Sequence, residues 1–330
     1  MLAFIVSVLL SFGFALFYAY ILYWLDRHER EPKLLLAGAF VWGAVVAAGM
    51  AFIFNTIFGV GVYLVSGSEA LTEVLTGSIS APFVEEMLKG FAVLIVFLVF
   101  YKEFDSVLDG IVYAGVTALG FAATENVLYL FGTGYTEEGW EGLFTLFFLR
   151  TILGAWNHAF YTAFTGIGLA LARLSRSWPL KIIAPLVGLG AAMFAHFTHN
   201  TIASFAQDWL GAVALFGTDW LGWLLMLIVI AVAANFERGW IKQQLQAEVE
   251  SGLINSAQYQ TAHSPWMRSL VNLQALFSGK YRATQRFYYL LVELAYKKHQ
   301  RQRFGEERGN TELIDKLRTE IGSLAPQISI

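Results

Sequence analysis

The chain has 330 residues, of which 57% are hydrophobic and only 14% charged, whereas soluble globular domains carry about 25% charged residues. Three runs, residues 1–25, 34–68 and 182–207, contain no Asp, Glu, Lys or Arg, and each exceeds the ~18 apolar residues that indicate a membrane-spanning helix. A water-soluble protein is therefore excluded, and the sequence predicts an all-α, polytopic bundle of transmembrane helices. The chain has no cysteine, which excludes disulfide bonds, thiolate metal ligands and a cysteine nucleophile.

Apolar segments recur along the chain and predict about seven membrane spans. In chain order they lie near residues 2–24, 36–65, 79–101, 107–131, 143–171, 180–206 and 212–234. The first segment is longer than the core of a signal peptide and lacks a basic flank before it, so we interpret it as a retained span.

The loops between these spans fall into two classes of charge. The loops at 66–78, 132–142 and 207–219 contain neither Lys nor Arg. The other loops carry the basic residues Arg27, Arg30, Lys33, Lys102, Arg173, Arg176 and Lys181. Because basic loops of membrane proteins face the cytoplasm, we expect a multi-pass protein with its N-terminus outside and its C-terminus in the cytoplasm.

The last part of the chain differs in composition from the rest, which divides the sequence into a transmembrane domain at 1–234 and a basic, cytoplasmic helical tail at 235–330. The tail has 13 Lys and Arg against 9 Asp and Glu, whereas the preceding part has 9 against 16. Two arrangements of the tail stay open: it lies on the lipid surface, or it forms a solvated helical bundle. In the first, headgroups would meet Lys297, Lys298, Arg301 and Arg303 beside Phe287, Tyr288, Tyr289 and Tyr296.

Several spans contain polar side chains that the membrane disfavours. An ionisable group near the bilayer centre costs roughly 2.5 to 3.5 kcal/mol, so each one needs a partner or a task. The helical rise places five of these residues roughly 9 to 22 Å from the outer ends of their spans. We expect them to meet in one cavity in the outer half of the membrane, and they are Glu85, Glu125, His158, His196 and Asn200.

Neighbouring polar residues have plain structural interpretations. Glu86 with Lys89 fits a buried ion pair between helices, and Arg150 fits a counter-ion of Glu125. Asp109 lies at the predicted cytoplasmic edge, where an interfacial or structural role is favoured. A lone histidine such as His199 is more often a hydrogen-bonded core residue than a catalytic one.

The polar motifs follow one another in a recognisable order. Glu85-Glu86-Met87-Leu88-Lys89 is followed by Asp109 to Tyr113, then Gly120 to Asn126, then His158 to Thr162, and finally His196 with Asn200 four residues later. Several other intramembrane proteases are excluded, because the chain has no His-Glu-x-x-His and no Gly-x-Gly-Asp. A rhomboid-type serine is unsupported, because Ser66 and Ser68 lie in a predicted outer loop. The succession, over about residues 80–200, resembles the PrsW family of intramembrane proteases, distant relatives of the CAAX-processing and bacteriocin-processing membrane proteases.

The resemblance implies an endopeptidase of the bacterial plasma membrane. Such a protein makes the first, site-1 cut in a membrane-anchored anti-sigma factor on its extracytoplasmic side during a stress response. By the same resemblance, Glu85 activates the hydrolytic water, with Glu86 and Lys89 as its supporting pair. His196 and Asn200 hold the scissile carbonyl group, and His158 transfers a proton or holds the water.

Glu125 marks a departure from the wider superfamily, which has a histidine four residues after the phenylalanine of this motif, here Phe121. We count Glu125 with the catalytic residues, and Asn126 and Asp109 with the supporting ones. Two mechanisms stay open. In the favoured one, no cofactor is required and Glu85 is a general base; in the other, zinc is held by Glu85, Glu125, His158 and His196.

Two other classes of function also fit intramembrane acids and histidines. A proton-coupled transporter or channel uses such groups equally well, but the inverted repeats and broken helices typical of many transporters are not visible in the sequence. A non-catalytic membrane scaffold with a basic recruiting tail is the third hypothesis. For the protease, the expected partners are a single-span membrane protein such as an anti-sigma factor and the lipid bilayer, and no nucleic acid.

Overall fold

The computed structural model describes residues 1–25, 31–206, 208–306 and 309–328. These residues are almost entirely helical and contain no β-strand, so the prediction of an all-α fold is confirmed for them. The described chain divides into two compact units, and the division falls between Ile230 and Ala231. Arg27 and Arg30, which entered the orientation argument, lie outside the described residues.

The first unit consists of long helices joined by short turns. Its helices are α1 (Leu2–Leu25), α2 (Lys33–Val41), α3 (Ala48–Ser66), α4 (Glu69–Leu75), α5 (Ala81–Val99), α6 (Val107–Tyr129), α7 (Thr136–Leu146), α8 (Asn157–Leu174), α9 (Trp178–Phe205) and α10 (Trp209–Glu250), the last of which continues into the second unit. Gly139 interrupts α7 with a positive φ of 66°, a conformation that glycine adopts without a steric penalty.

Five stretches of the described chain are long and apolar enough to cross a membrane. They are Leu2–Leu25, Lys33–Ser66, Val107–Leu174, Trp178–Phe205 and Trp209–Glu250. The spans predicted at 107–131 and 143–171 fall within one of these stretches, and the span predicted at 79–101 corresponds to α5, which carries Glu85, Glu86 and Lys89. A multi-span helical protein is thus supported, whereas the count of seven spans and the orientation stay predictions. The predicted loop at 207–219 is wrong from Trp209 onward, because α10 begins there, and its first residue, Gln207, lies outside the described residues.

Helix α6 forms the centre of the first unit. Every residue from Leu108 to Phe121 is buried, so this helix is covered by protein on all sides. Glycines let its neighbours approach closely: a Cβ atom at Gly110 would lie 2.3 Å from the carbonyl oxygen of Gly166 in α8, and one at Gly120 would lie 2.0 Å from that of Phe40 in α2. Small residues at helix crossings are the usual means of close packing in membranes.

This packing makes Gly120 a sensitive position. We expect Gly120→Ala to lower the thermal unfolding midpoint of the purified protein in detergent, because the added methyl group forces α2 and α6 apart, an overpacking that costs about 1–3 kcal/mol. Gly61→Ala in α3 is the matched control, since a Cβ atom there meets no atom within 4 Å. Equal unfolding midpoints for the two variants would contradict the close contact between α2 and α6.

Four π-helical segments connect α-helices of this unit. They cover Trp42–Ala47, Thr76–Ser80, Leu130–Tyr135 and Phe147–Leu153. Thr76–Ser80 leads directly into α5, and Phe147–Leu153 contains Arg150. Because π-helical turns occur frequently at functional sites, these two segments indicate that a functional site lies near the start of α5 and the start of α8.

The second unit has its own hydrophobic core. Its helices after α10 are α11 (Ser256–Ala262), α12 (Pro265–Phe277), α13 (Tyr281–Phe304) and α14 (Asn310–Leu324). The core includes Phe287, Tyr288 and Tyr296, which are at most 4% exposed. The suggestion that these aromatic side chains meet lipid headgroups is therefore wrong, since the spacing that made α13 look amphipathic serves the interior of this unit. Glu248 further ties the unit together by pairing with Lys298 at 2.6 Å and Arg318 at 2.7 Å.

Candidate active site

The first unit contains a partly open cavity of about 1120 Å³. Helices α5, α6, α8 and α9 each contribute polar side chains to its wall. The lining includes the five residues that the sequence predicts to converge, namely Glu85, Glu125, His158, His196 and Asn200. Their carboxylate, imidazole and amide groups therefore share one space, although they come from different helices.

Behind the cavity wall, Glu86 and Lys89 form a fully buried ion pair with 2.5 Å between Glu86 Oε1 and Lys89 Nζ. Glu86 also accepts a hydrogen bond from Thr162 Oγ1 at 2.8 Å and lies 2.9 Å from Nδ1 of His196. Because a carboxylate accepts hydrogen bonds and does not donate them, Nδ1 of His196 carries the proton. Glu86 thereby fixes the orientation of His196 and leaves the Nε2 lone pair of that ring free to face the cavity.

Glu85 has a different environment from its neighbour Glu86. The side chain is buried, yet its Oε2 atom has no hydrogen-bond partner. Lys89 Nζ lies 3.8 Å and His196 Nε2 3.9 Å from this atom. Since a buried polar atom without a partner is costly, the Oε2 atom of Glu85 is a candidate contact for a bound group.

His158, like His196, is held by a carboxylate at one of its ring nitrogens. Its Nε2 lies 2.9 Å from Glu125 Oε2, so this nitrogen carries the proton, and its Nδ1 lies 3.3 Å from Lys89 Nζ. Arg150 donates to Glu125 at 2.6 Å and to Asn126 Oδ1 at 3.0 Å. The arginine thus balances the charge of Glu125, and Asn126 helps to hold the arginine in place.

Glu85, His158 and His196 together form a potential metal site. One ligand atom from each of them can be chosen so that all three lie within 4.8 Å of one another. Two histidines with one glutamate, plus an open position, are a donor set used by catalytic zinc. Each histidine also directs its outer nitrogen at a carboxylate, Glu86 or Glu125, which is the usual support of a zinc-binding imidazole. The donor chemistry therefore fits zinc, and Glu125 lies behind His158 instead of within this group.

A second polar cluster lies beside the first and centres on Asp219, a buried residue of α10. His199 Nδ1 lies 2.9 Å from Asp219 Oδ1, and Asn157 donates to Asp219 Oδ2 at 2.9 Å. Trp223 donates to Asn157 at 3.0 Å. His199 is thus a hydrogen-bonded histidine, as expected, but it also lines the cavity. The sequence analysis missed Asp219 because it placed this residue at the end of a loop; the apolar helical pattern on both sides of Asp219 is the signal that could have identified it.

Two further residues from the sequence analysis, Asn200 and Asp109, form hydrogen bonds that connect or cap helices. Asn200 donates to the carbonyl oxygen of Gly77 at 2.8 Å and so connects α9 to the π-helical turn before α5. Asp109 caps the N-terminus of α6, where its carboxylate accepts from the backbone of Asp105 and Ser106 at 2.7 and 2.6 Å. Sixteen residues separate it from Glu125 on the same helix, roughly 24 Å, so Asp109 is not part of the cavity cluster.

Comparison with known proteins identifies the relatives of this chain. Residues 31–233 match the family model described as PrsW family intramembrane metalloprotease. Protease PrsW of Geobacillus kaustophilus is 29% identical over 150 residues, which is 46% of this chain but less than two thirds of the relative, 59%. Protease PrsW of Bacillus subtilis is 28% identical over 189 residues, covering 56% of this chain and 77% of the relative.

A third relative, Protease PrsW of Clostridioides difficile, is 36% identical over 107 residues, which is 32% of this chain and 42% of the relative. No solved structure gives a significant match. The family match covers more than half of the chain, including Glu85, Glu125, His158, His196 and Asn200. This chain belongs to the PrsW family of intramembrane metalloproteases.

Proposed function

We propose that this protein is an intramembrane endopeptidase that hydrolyses a peptide bond of a membrane-anchored protein, and that Glu85, His158 and His196 hold a catalytic zinc ion. The observation that carries the proposal is the arrangement of the two histidines with Glu85. Each histidine has its protonated nitrogen on a carboxylate, Glu86 or Glu125, and one ligand atom from each of the two rings and from Glu85 lie within 4.8 Å of one another. The sequence alone favoured a reaction without metal, but this grouping of donor atoms supports a metal site more strongly.

A zinc ion bound there would polarise the scissile carbonyl group and make a water molecule acidic enough to attack it. The residues of the chain prepare the site for that chemistry. Glu86 and Glu125 hold the two imidazole rings and make them better ligands, while Arg150 offsets the charge of Glu125. Lys89 approaches His158 Nδ1 to 3.3 Å, so it competes with a metal ion for that nitrogen, but its shorter contact is the ion pair with Glu86.

The cavity also supports a polypeptide substrate. Its volume of about 1120 Å³ exceeds the roughly 300–1,000 Å³ of sites for small molecules. Glu85 lies in the second turn of α5, Glu125 near the end of α6 and Asn200 near the end of α9. These helix ends adjoin the segments without Lys or Arg, which the positive-inside rule assigns to the extracytoplasmic side. We therefore propose a single-span substrate cut near that face, of which an anti-sigma factor cleaved at site 1 is the specific candidate.

Metal dependence provides the experiment that tests the site. We expect the purified protein to contain about one equivalent of zinc by elemental analysis, the number that one three-ligand site holds. His196→Gln should lose the zinc, and a chelator should stop cleavage of a single-span substrate until zinc is restored. His199→Gln is the matched control: this histidine lines the same cavity but pairs with Asp219, so the zinc content of the variant should not change.

The opposite result has a clear meaning. Full cleavage in excess chelator, with no bound metal, would overturn the zinc site and leave Glu85 as a general base whose free carboxylate oxygen activates water. Unchanged zinc content in His196→Gln would place the metal elsewhere in the chain. The second outcome does not depend on knowing the natural substrate, because zinc content is measured without a reaction.

A further inference from the structure

Helix α12 of the second unit carries an apolar face that its own unit does not cover. The large side chains of this face are Trp266 (66% exposed), Met267 (41%), Leu270 (39%), Leu273 (54%), Leu276 (57%) and Phe277 (86%). Four of them, at positions 266, 270, 273 and 277, follow the alternating spacing of four and three residues that forms one stripe along a helix. The opposite side of α12 packs into the unit through Val271 and Ala275, which are buried.

The charges around α12 point to an anionic surface. No Asp or Glu occurs between Glu250 and Glu293, whereas this interval contains Arg268, Lys280, Arg282 and Arg286. Arg286 pairs with Glu320 at 2.8 Å, so the basic border of the stripe consists of Lys280 and Arg282, which follow α12 and are exposed. An exposed apolar stripe with a basic border and no acidic residue in its own segment is the pattern of helices that lie in the interface of a membrane with anionic lipids.

The covalent connection of the unit to the membrane points to the same partner. Helix α10 is apolar enough to span a membrane and runs without interruption to Glu250, only 15 residues before Pro265. The bilayer is therefore within reach of α12 at all times, at an effective concentration that a soluble partner does not have. Trp266 lies at one end of the stripe, and the exposed Tyr281 lies just beyond the other; Trp and Tyr are enriched at membrane interfaces.

We infer that α12 is an interfacial helix that inserts Trp266, Leu270, Leu273 and Phe277 into the headgroup region of an anionic bilayer and so fixes the second unit to the membrane surface. The family match ends at residue 233, so this anchor lies outside the part of the chain that the protease family defines. The inference does not depend on the proposed chemistry of the cavity.

Single labels on the full-length protein test the inference, and the absence of native cysteine makes such labelling specific. Leu273→Cys places a nitroxide on the apolar face, and Thr319→Cys places one on an exposed position of α14. The proteins are reconstituted in vesicles of phosphatidylcholine with phosphatidylglycerol. We expect the label at 273 to be relaxed by oxygen and protected from a water-soluble nickel chelate, at a depth of about 5–10 Å, whereas the label at 319 should be relaxed by the chelate.

Two further measurements separate the contribution of the apolar stripe from that of the basic border. Leu270→Glu, added to the labelled Leu273→Cys protein, should return that label to water without changing the unfolding midpoint, because residue 270 is on the exposed face. Vesicles of phosphatidylcholine alone should raise the access of the chelate to residue 273, and an unchanged signal there would overturn the role of the basic border.

Two outcomes would overturn membrane docking itself. The first is equal access of the nickel chelate to residues 273 and 319, which would place the apolar face in water. The second is protection of residue 273 only at high protein-to-lipid ratios, together with spin–spin broadening between labels, which would assign the face to a second copy of the chain.

Discussion

Replacing Glu85 by glutamine should abolish cleavage of a single-span membrane substrate while leaving the protein folded. Glutamine keeps the shape of the side chain but removes the charge and the basicity of the carboxylate. If Glu85 is a zinc ligand, the change weakens the binding of zinc. If Glu85 is the general base of a metal-free reaction, the change removes that base. General acid and base groups contribute typically about 10² to 10⁴-fold to a rate, so we expect at least a hundredfold decrease. The measurement is the appearance of a shortened fragment of a tagged, single-span anti-sigma factor that is co-reconstituted with the enzyme.

A second glutamate-to-glutamine change provides the control. Glu138 in α7 is exposed and is not among the residues that line the cavity, so Glu138→Gln should cleave at the normal rate. Both variants should give the same elution profile and unfolding midpoint as the unchanged protein. Cleavage by Glu85→Gln at the rate of Glu138→Gln would remove Glu85 from the reaction and, with it, the proposed active site.

The sequence made the cavity residues visible for an energetic reason. Glu85, His158 and His196 stand in apolar segments where an ionisable side chain is expensive, so their presence there already indicated a shared site. The same reasoning did not identify Asp219. It stands ten residues after the start of α10 at Trp209, and the first residue of an apolar helix is poorly defined by sequence pattern alone.

The fold beyond the helix pattern was less predictable. Hydropathy does not distinguish a helix covered by lipid from one covered by protein, and so the central position of α6 could not be read from its residues. That position depends on contacts such as Gly110 with Gly166, which join distant parts of the chain. The same ambiguity explains Phe287 and Tyr288 in α13, because a helical apolar stripe is equally suited to a core and to a membrane surface.

The choice between a metal site and a metal-free site was also beyond the sequence. The ligands come from three different helices, so spacing along the chain does not show which nitrogen of His158 or His196 faces Glu85. In the structure, Glu86 engages Nδ1 of His196 and leaves Nε2 of that ring 3.9 Å from Glu85. Glu125 engages Nε2 of His158, whose Nδ1 lies 3.3 Å from Lys89 Nζ. The carboxylates that decide the orientation of the rings are therefore as informative as the ligands themselves.

The buried pair of Glu86 and Lys89 gives the second large effect that we expect. Both side chains are completely buried, and Lys89 is the cation closest to both glutamates of the motif, at 2.5 Å from Glu86 and 3.8 Å from Glu85. Lys89→Met should therefore leave an uncompensated negative charge in the interior. Breaking a buried pair from one side costs about 3–5 kcal/mol, which should appear as a strongly reduced unfolding midpoint in detergent.

The double variant separates the stability of this pair from its role in the site. Adding Glu86→Gln to Lys89→Met removes the charge that Lys89 contacts most closely and leaves only that of Glu85, so part of the lost stability should return, as replacement of both members of a buried ion pair often allows. Cleavage should not return with it, because a neutral amide at position 86 is a weaker acceptor for the Nδ1 proton of His196 and the imidazole loses the carboxylate that orients it. Recovery of both properties would show that the pair serves only the packing of α5 against α8 and α9. Recovery of stability without cleavage would show that the electrostatic contact that folds the site also prepares His196 for its reaction.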